Sequence, residues 1–255
     1  MRRILLRIAY DGTSYAGFQF QPGGIETVEG VLNRVLTELT GEEIAVTGGS
    51  RTDAGVHALD NVAVFDTASR IPGEKFAYAL NERLPDDIKI RASREVPQDF
   101  HPRHTACLKT YEYHILSEPF PQPLKRLYTH YTYHSLDTAA MDRAAKYLIG
   151  EHDFTSFASI YSQAKSSVRT ITEAEVKSCG EEIVIRVQGT GFLYNMVRII
   201  AGTLMEVGRG RKRAEDIPQI LAAKDRRTAG PTAPAKGLVL KEYRFLNEKG
   251  ASDKL

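Results

Sequence analysis

Apolar positions in the first hundred residues alternate between a spacing of two, typical of strands, and a spacing of three to four, typical of helices. The apolar residues from Val28 to Leu39 fall on one helical face, with Thr27 as a suitable N-cap and Gly41 as a suitable stop. The remaining predicted elements are strands at 3–10, 44–46, 61–66 and 88–92 and a second helix around 74–83. The order is therefore strand, helix, strand, strand, helix, strand.

The second half of the chain repeats this order of elements with longer insertions. A strand over 109–115 alternates Tyr111 and Tyr113 with polar residues, which gives the strand an aromatic face. The other predicted elements are a helix over 137–149 capped by Asp137, a hairpin of strands over 170–177 and 182–188, helices over 192–207 and 215–223, and a strand over 238–245.

This repeated order predicts an α+β fold. Each repeat has the element order of the split βαβ unit of ferredoxin-like domains. We expect two ferredoxin-like (RRM-like) halves that form a mixed, largely antiparallel central sheet with helices on one side. The predicted domains are 1–103, which carries a glycine-rich Arg-Thr-Asp loop, and 104–246. The polar residues 247–255 form a predicted frayed tail.

The composition is that of an ordinary globular protein. Of the 255 residues, 42% are hydrophobic and 26% are charged, and the net charge is only +2. Any affinity for nucleic acid must therefore come from local basic patches. Cys107 and Cys179 are isolated, which suits a reducing compartment, and no apolar run approaches the length of a membrane helix. We expect a soluble cytoplasmic protein without membrane association.

The stretch 48–58, Gly-Gly-Ser-Arg-Thr-Asp-Ala-Gly-Val-His-Ala, contains the densest group of chemically active residues. Its glycines permit backbone conformations and close approaches that other residues disfavour. An arginine held near Asp53, such as Arg51 two residues away, would keep the carboxylate ionised at neutral pH. A reactive site is one interpretation of this pattern. The alternative is a surface ion pair on a glycine-rich loop.

Two residues elsewhere in the chain are further candidates. Tyr111 could stack on a base from its strand face, although half-buried tyrosines are common in strands. Arg198 projects from the side of the 192–207 helix that carries Ala201 and Gly202, where small side chains would let a backbone or an RNA approach closely. The alternative for Arg198 is a solvated arginine on a helix surface.

A basic cluster follows the same helix. Its members are Arg209, Arg211, Lys212 and Arg213. Such a cluster suits contacts with nucleic-acid phosphates, and the alternative is an ordinary solvated surface.

Three motifs resemble those of the tRNA pseudouridine synthase A (TruA) family. They are Arg-Thr-Asp-Ala-Gly-Val-His-Ala at 51–58, Lys-Thr-Tyr-Glu-Tyr at 109–113 and Gly-Phe-Leu-Tyr-Asn-Met-Val-Arg at 191–198. The resemblance implies that Asp53 is the catalytic residue, that Tyr111 contacts the target base and that Arg198 pairs with Asp53. The active-site cleft would then lie between the two halves. Arg51 would help to hold the charge of Asp53 and could fill the stack that the target base vacates.

The resemblance also implies a reaction and its partners. The family isomerises uridine to pseudouridine at uridines 38–40 in the anticodon stem-loop of tRNA, and the target base must first be flipped out of its stack. The implied reaction uses no metal and no organic cofactor. The implied assembly is a homodimer.

Two alternatives come from other functional classes. The first is a non-catalytic RNA-binding protein of two RRM-like domains, which requires exposed aromatic residues at Tyr111 and Tyr113. The second is a metal hydrolase that uses His101 and His104. These histidines lie in a proline-interrupted segment and lack the helical His-Glu-x-x-His frame, which argues against a metal site.

Overall fold

The computed structural model of the chain describes residues 1–162 and 164–246, so the predicted tail at 247–255 lies outside the described residues. The strands are β1 (Arg2–Tyr10), β2 (Thr47–Gly48), β3 (His57–Thr67), β4 (Ile88–Val96), β5 (Cys107–Ser117), β6 (His130–Thr132), β7 (Gly150–Asp153), β8 (Val168–Cys179), β9 (Glu182–Gly189) and β10 (Leu238–Phe245). The helices are α1 (Val28–Thr40), α2 (Phe76–Asn81), α3 (Thr138–Lys146), α4 (Met196–Gly208) and α5 (Ile217–Ala223). None of the helices in this described part is long and apolar enough to cross a membrane.

These strands form one sheet in the order β4-β1-β3-β10-β5-β9-β8-β7, with β2 paired to β3 and β6 paired to β5. Strands β4-β1-β3-β2 form one antiparallel set, and strands β10-β5-β9-β8 form a second set with the same connectivity. This is the strand order of a ferredoxin-like unit, so the predicted α+β fold with helices on one side of the sheet is confirmed. The division into domains at residue 103 stays a prediction.

The last strand joins the two halves. Strand β10 pairs in parallel with the start of β3, where Val239 lies opposite His57, and pairs antiparallel with β5, where Leu240 lies opposite Tyr111. Strand β3 follows the Arg-Thr-Asp loop directly, and β5 carries Tyr111. The C-terminal strand therefore brings the two sequence motifs, about sixty residues apart in the chain, to neighbouring places on the sheet.

Helix α1 agrees with its predicted bounds, because the Thr27 hydroxyl accepts a hydrogen bond from the Gly30 N–H at 3.1 Å and Gly41 adopts a φ of 72°. The predicted strand at 44–46 is wrong. The Ile44 N–H donates to Thr37 Oγ1 at 3.1 Å and the Val46 N–H donates to Asn33 Oδ1 at 2.8 Å. Side chains of α1 thus take the place of a strand partner for residues 44 and 46. In the described segment 41–56, only the two residues of β2 pair with β3.

Two element boundaries and two short strands also differ from the predictions described above. Strand β3 begins at residue 57 rather than 61, because the parallel partner β10 extends its ladder into the predicted loop. Helix α4 begins at Met196 rather than at residue 192, since Asn195 has a left-handed backbone conformation that cannot belong to a right-handed helix. The short strands β6 and β7 were not predicted, because three or four residues give too little periodicity to detect.

Candidate active site

The loop from Gly49 to Val56 is fixed by buried side chains beneath it. The fully buried Asn61 donates through Nδ2 to the Ser50 carbonyl at 2.9 Å and accepts from the Ser50 N–H through Oδ1 at 3.2 Å. One amide side chain therefore satisfies both backbone groups of the residue before Arg51. Because both bonds are buried, they set the course of the loop that carries Asp53.

Two contacts at Thr52 complete this support. The hydroxyl groups of Tyr10 and Thr52 lie 2.7 Å apart in a hydrogen bond, and the Thr52 carbonyl accepts from the Phe18 N–H at 3.0 Å. The adjacent Gly17 has a φ of 98°, and a Cβ atom there would lie 2.8 Å from the Thr52 carbonyl oxygen. Gly17 is therefore required both for its conformation and for this close approach.

Arg198 approaches the loop from the first turns of α4. Its Nε donates to the Ala233 carbonyl at 2.8 Å, and its own carbonyl accepts from the Ala233 N–H at 3.1 Å. The 229–237 segment can lie this close because Gly202 has no side chain, and a Cβ there would lie 1.8 Å from the Pro231 carbonyl oxygen. The small residues beside Arg198 thus accommodate a backbone segment, which was one of the two expectations for them.

Asp53 and Arg198 form an ion pair across the two halves of the chain. Arg198 Nη1 lies 3.2 Å from Asp53 Oδ2, and the two side chains are only 18% and 15% exposed. Burial raises the pKa of the Asp53 carboxyl above its ordinary value, and the neighbouring Arg198 opposes that rise. The pair is therefore largely shielded from water, and Arg198 favours the ionised form of the acid.

Arg51 does not share this contact. Its side chain is exposed, and within the described residues it makes no ion pair with Asp53. The expectation that Arg51 holds the charge of Asp53 is therefore not met in this conformation. Arg51 instead lines the open cleft beside the acid.

Tyr111 lies in the cleft with its ring largely covered. Its ring packs edge-on against Phe192, with centroids 5.1 Å apart and planes inclined by 82°. Burial raises the pKa of the Tyr111 hydroxyl to about 12. The hydroxyl is therefore protonated at neutral pH and would have to lose its own proton before it could accept another.

The cleft that contains these residues has a volume of about 870 Å³. Its walls come from the Arg-Thr-Asp loop, the start of β5 and the 190–198 segment, so it lies where the two halves meet. Among the described residues that line it, the basic side chains are Arg51, Arg103, Lys109, Arg169 and Arg198, and Asp53 is the only carboxylate. Such a volume and charge suit a polyanionic ligand of which one small part enters the pocket.

A family model described as tRNA pseudouridine synthase matches residues 7–104 and 144–246. The chain is 51% identical over 245 residues to the tRNA pseudouridine synthase A of Acetivibrio thermocellus, covering 96% of this chain and 100% of the relative. It is 48% identical over 242 residues to that of Brevibacillus brevis (95% and 99% covered) and 43% identical over 255 residues to that of Halalkalibacterium halodurans (100% and 97% covered). The chain belongs to the tRNA pseudouridine synthase family. Pseudouridine synthases are isomerases, so the chain is an isomerase.

The predicted basic cluster lies outside the cleft of this pseudouridine synthase. Arg209 and Arg211 both pair with Glu206, and Arg213 pairs with Asp216 at 3.2 Å. The fourth member, Lys212, donates to the Thr228 carbonyl at 3.0 Å. Their predicted role in substrate binding stays a prediction, and the structure does not bring them to Asp53.

The two alternative functions, an RNA-binding protein of two RRM-like domains and a metal hydrolase, need arrangements of residues that differ from those observed. Tyr113 is fully buried and donates to the Pro234 carbonyl at 2.9 Å, so the exposed aromatic pair of an RNA-binding sheet is not present on β5. The rings of His101 and His104 stack with centroids 4.1 Å apart. In residues 1–162 and 164–246, no three His, Cys, Asp or Glu side chains gather where they could hold a metal ion.

Sequence reasoning missed several residues of the cleft. Lys109 lies two residues before Tyr111, so strand alternation alone places both on the same face. Arg103 comes from an irregular segment whose course no local pattern predicts, and Arg169 lies at the start of β8, one residue before the predicted strand. Asn195 accepts a hydrogen bond from Arg198 Nη1 at 2.8 Å through Oδ1, and its three-residue spacing from Arg198 was the available signal.

Asn195 is expected to act as a positioning residue for Arg198. Its φ of 62° is one that Asn or Gly adopts more readily than other residues. The Asn195→Gly variant should keep this conformation and lose the amide contact, so turnover should fall about tenfold or more, the effect of roughly 1.5–3 kcal/mol for a hydrogen bond to a charged group. The free energy of unfolding should fall by no more than this hydrogen bond contributes, because glycine adds no backbone penalty at this φ.

The Asn195→Ala variant is the matched control. It loses the same amide and adds a backbone penalty of roughly 1–2 kcal/mol, so it should lose similar turnover and be less stable. Thermal unfolding and turnover measured on both variants separate the two effects. Parental turnover in Asn195→Gly would show that the amide does not position Arg198.

Proposed function

We propose that this protein converts uridine to pseudouridine in the anticodon stem-loop of tRNA, at uridines 38–40, with Asp53 as the catalytic residue. One observation supports this assignment above others. Asp53 is the only carboxylate that lines the described cleft, it is paired with Arg198, and every other charged side chain in the lining is basic. The tRNA substrate is the one named for the relatives that cover nearly the whole chain.

The reaction is an internal exchange of one bond for another. The N1–C1′ glycosidic bond breaks, the uracil rotates within the cleft, and a C5–C1′ bond forms. The proton on C5 is then lost and N1 is protonated, so atoms and electrons balance without an oxidant or a reductant. Asp53 would act either as the nucleophile or as a base at the sugar, and in both roles it must be ionised.

The residues around Asp53 suit the steps that precede this exchange. Unstacking the target uridine costs a few kcal/mol, which stacking of roughly 1–3 kcal/mol per base and phosphate contacts can offset. Tyr111 would contact the flipped uracil beside Phe192. Arg51 is exposed at the rim of the cleft, from which its guanidinium could occupy the vacated stack. We also expect a cytoplasmic homodimer, as the family resemblance implies.

Release of tritium from tRNA labelled at C5 of uridine tests the proposal directly, because the reaction replaces the C5–H bond with a C5–C1′ bond. The parent chain should release tritium from an anticodon stem-loop with uridine at 38–40 and release none when those positions carry cytidine. Tight binding of tRNA without release would instead support the non-catalytic RNA-binding alternative.

Tyr111→Phe should separate base contact from chemistry. The variant keeps the ring that packs on Phe192 and loses only the buried hydroxyl, so affinity for tRNA should stay within about twofold. If the hydroxyl takes part in proton transfer at C5, turnover should fall by about 100-fold or more. The matched control is Tyr243→Phe, outside the cleft lining, whose hydroxyl donates to the Pro102 carbonyl. Parental turnover in Tyr111→Phe would remove the hydroxyl from the mechanism.

A further inference from the structure

Lys109 is an unusual cation because it is half-buried at the cleft without a carboxylate partner. Its Nζ donates to the Gly49 carbonyl at 3.0 Å and lies 4.9 Å from the centroid of the Tyr243 ring. In the described part of the chain it makes no ion pair. Burial, and to a smaller extent the nearby charges of Arg51 and Arg103, lower the pKa of Lys109 to about 8.

Arg51 and Arg103 add to this unbalanced charge. Both side chains are exposed, both line the cleft, and neither forms an ion pair within the described residues. Three like charges gathered around one wall of a cleft repel one another, and Glu29, whose charge acts on Arg103, balances them only in part. An anion bound between them would complete that balance.

Lys109 also has donors to spare. An ammonium group has three N–H donors, and the Gly49 carbonyl and the Tyr243 ring engage at most two of them. Lys109 and Tyr111 are two residues apart on the same face of β5, so their Cα atoms are separated by roughly 7 Å. If the aromatic base of a ligand packs against Tyr111, the charged group next to that base would therefore lie within reach of Lys109.

We propose that Lys109, together with Arg51 and Arg103, binds a backbone phosphate of the RNA strand, one that flanks the nucleotide presented to Asp53. The inference rests on the proposed function, because it takes the ligand to be an RNA strand. It assigns Lys109 a binding role in addition to its contact with the Gly49 carbonyl. It also places phosphate recognition inside the cleft rather than at the cluster formed by 209–213.

The test compares Lys109→Met with its parent on RNAs that differ in one charge. Both proteins carry Asp53→Asn so that binding is measured without turnover. The RNAs are an anticodon stem-loop and two copies in which a neutral methylphosphonate replaces the phosphate on the 5′ or the 3′ side of the target uridine. Lys146→Met is the matched control, since Lys146 Nζ also donates to a backbone carbonyl, that of Ala174 at 2.8 Å, but lies outside the cleft.

We expect Lys109→Met to weaken binding of the unmodified RNA by about tenfold and to reduce the salt slope of log K by about one. On one of the two methylphosphonate RNAs, Lys109→Met and its parent should bind equally well, because that RNA lacks the phosphate charge that Lys109 contacts. An equal loss on all three RNAs with an unchanged salt slope would overturn the proposal and leave Lys109 as a support for the loop.

Arg103→Met provides a second variant in case Lys109→Met does not fold, because the exposed Arg103 side chain makes no hydrogen bond or ion pair in the described structure. It should reduce the salt slope of log K by about one. It should also bind as well as its parent to the same methylphosphonate RNA on which Lys109→Met loses no affinity. Tritium release by the parent chain is measured separately. If the parent chain released no tritium, the proposed function would be contradicted. If it released tritium but the variants lost the same affinity for all three RNAs, only the phosphate site would be contradicted.

Discussion

Asp53→Asn is expected to slow uridine isomerisation by at least about 100-fold while tRNA affinity is retained. The substitution preserves the shape of the side chain and removes the negative charge and basicity that either role of Asp53 requires. A factor of 100 is the smaller end of what one positioned acid–base group contributes, and loss of a nucleophile would be larger. Binding should be retained or slightly strengthened, because the variant removes the only carboxylate lining the described cleft.

The matched control for this variant is Asp66→Asn. Asp66 also pairs with an arginine, accepting from Arg3 Nε and Nη2 at 2.8 Å each, but it does not line the cleft. Its replacement should affect stability and leave turnover intact. Tritium release and equilibrium binding on the same tRNA measure both properties. Parental turnover in Asp53→Asn would refute the assignment of Asp53.

Local patterns predicted the fold where the determining interactions are local. Helix α1 was located correctly, because its cap at Thr27, its stop at Gly41 and its apolar face lie within fifteen residues. The position of β10 between β3 and β5 depends on pairing across more than a hundred residues, and no local pattern encodes it. The segment at 44–46 has strand-like residues, but side chains of α1 bind its backbone N–H groups.

In the candidate site, too, the sequence indicated single residues but not the contacts between distant parts of the chain. The residues alone indicated Asp53 as a candidate acid and Arg198 as a helix arginine beside small residues, while their pairing was implied only by family resemblance. The predicted partner Arg51 is two residues away in sequence, yet its exposed side chain makes no ion pair with Asp53 in the described part of the chain. The contacts that hold Ser50 and Thr52 come from Asn61 and Tyr10, which lie outside the motif, so the motif alone does not specify the course of the loop.

Arg198→Met should reduce turnover at neutral pH by about 100-fold or more, comparable to the loss of one charge-stabilising group in a preorganised site. It should also change the pH dependence. Burial raises the pKa of Asp53, and Arg198 opposes that rise, so removing the arginine leaves burial unopposed and raises the pKa further. Because the proposed role of Asp53 requires the ionised carboxylate, the loss of activity on lowering the pH should begin at a higher pH than in the parent chain.

Arg198→Lys separates the charge from the geometry of Arg198. Lysine keeps a positive charge near Asp53, so the acid limb of the pH–turnover profile should stay close to that of the parent. It cannot reproduce the planar fork that joins Asp53 Oδ2, Asn195 Oδ1 and the Ala233 carbonyl, so the maximum turnover should still fall. Profiles of turnover against pH for the parent and both variants measure these two effects. An unshifted acid limb in Arg198→Met would show that Arg198 does not stabilise the ionised acid, whatever the loss in rate.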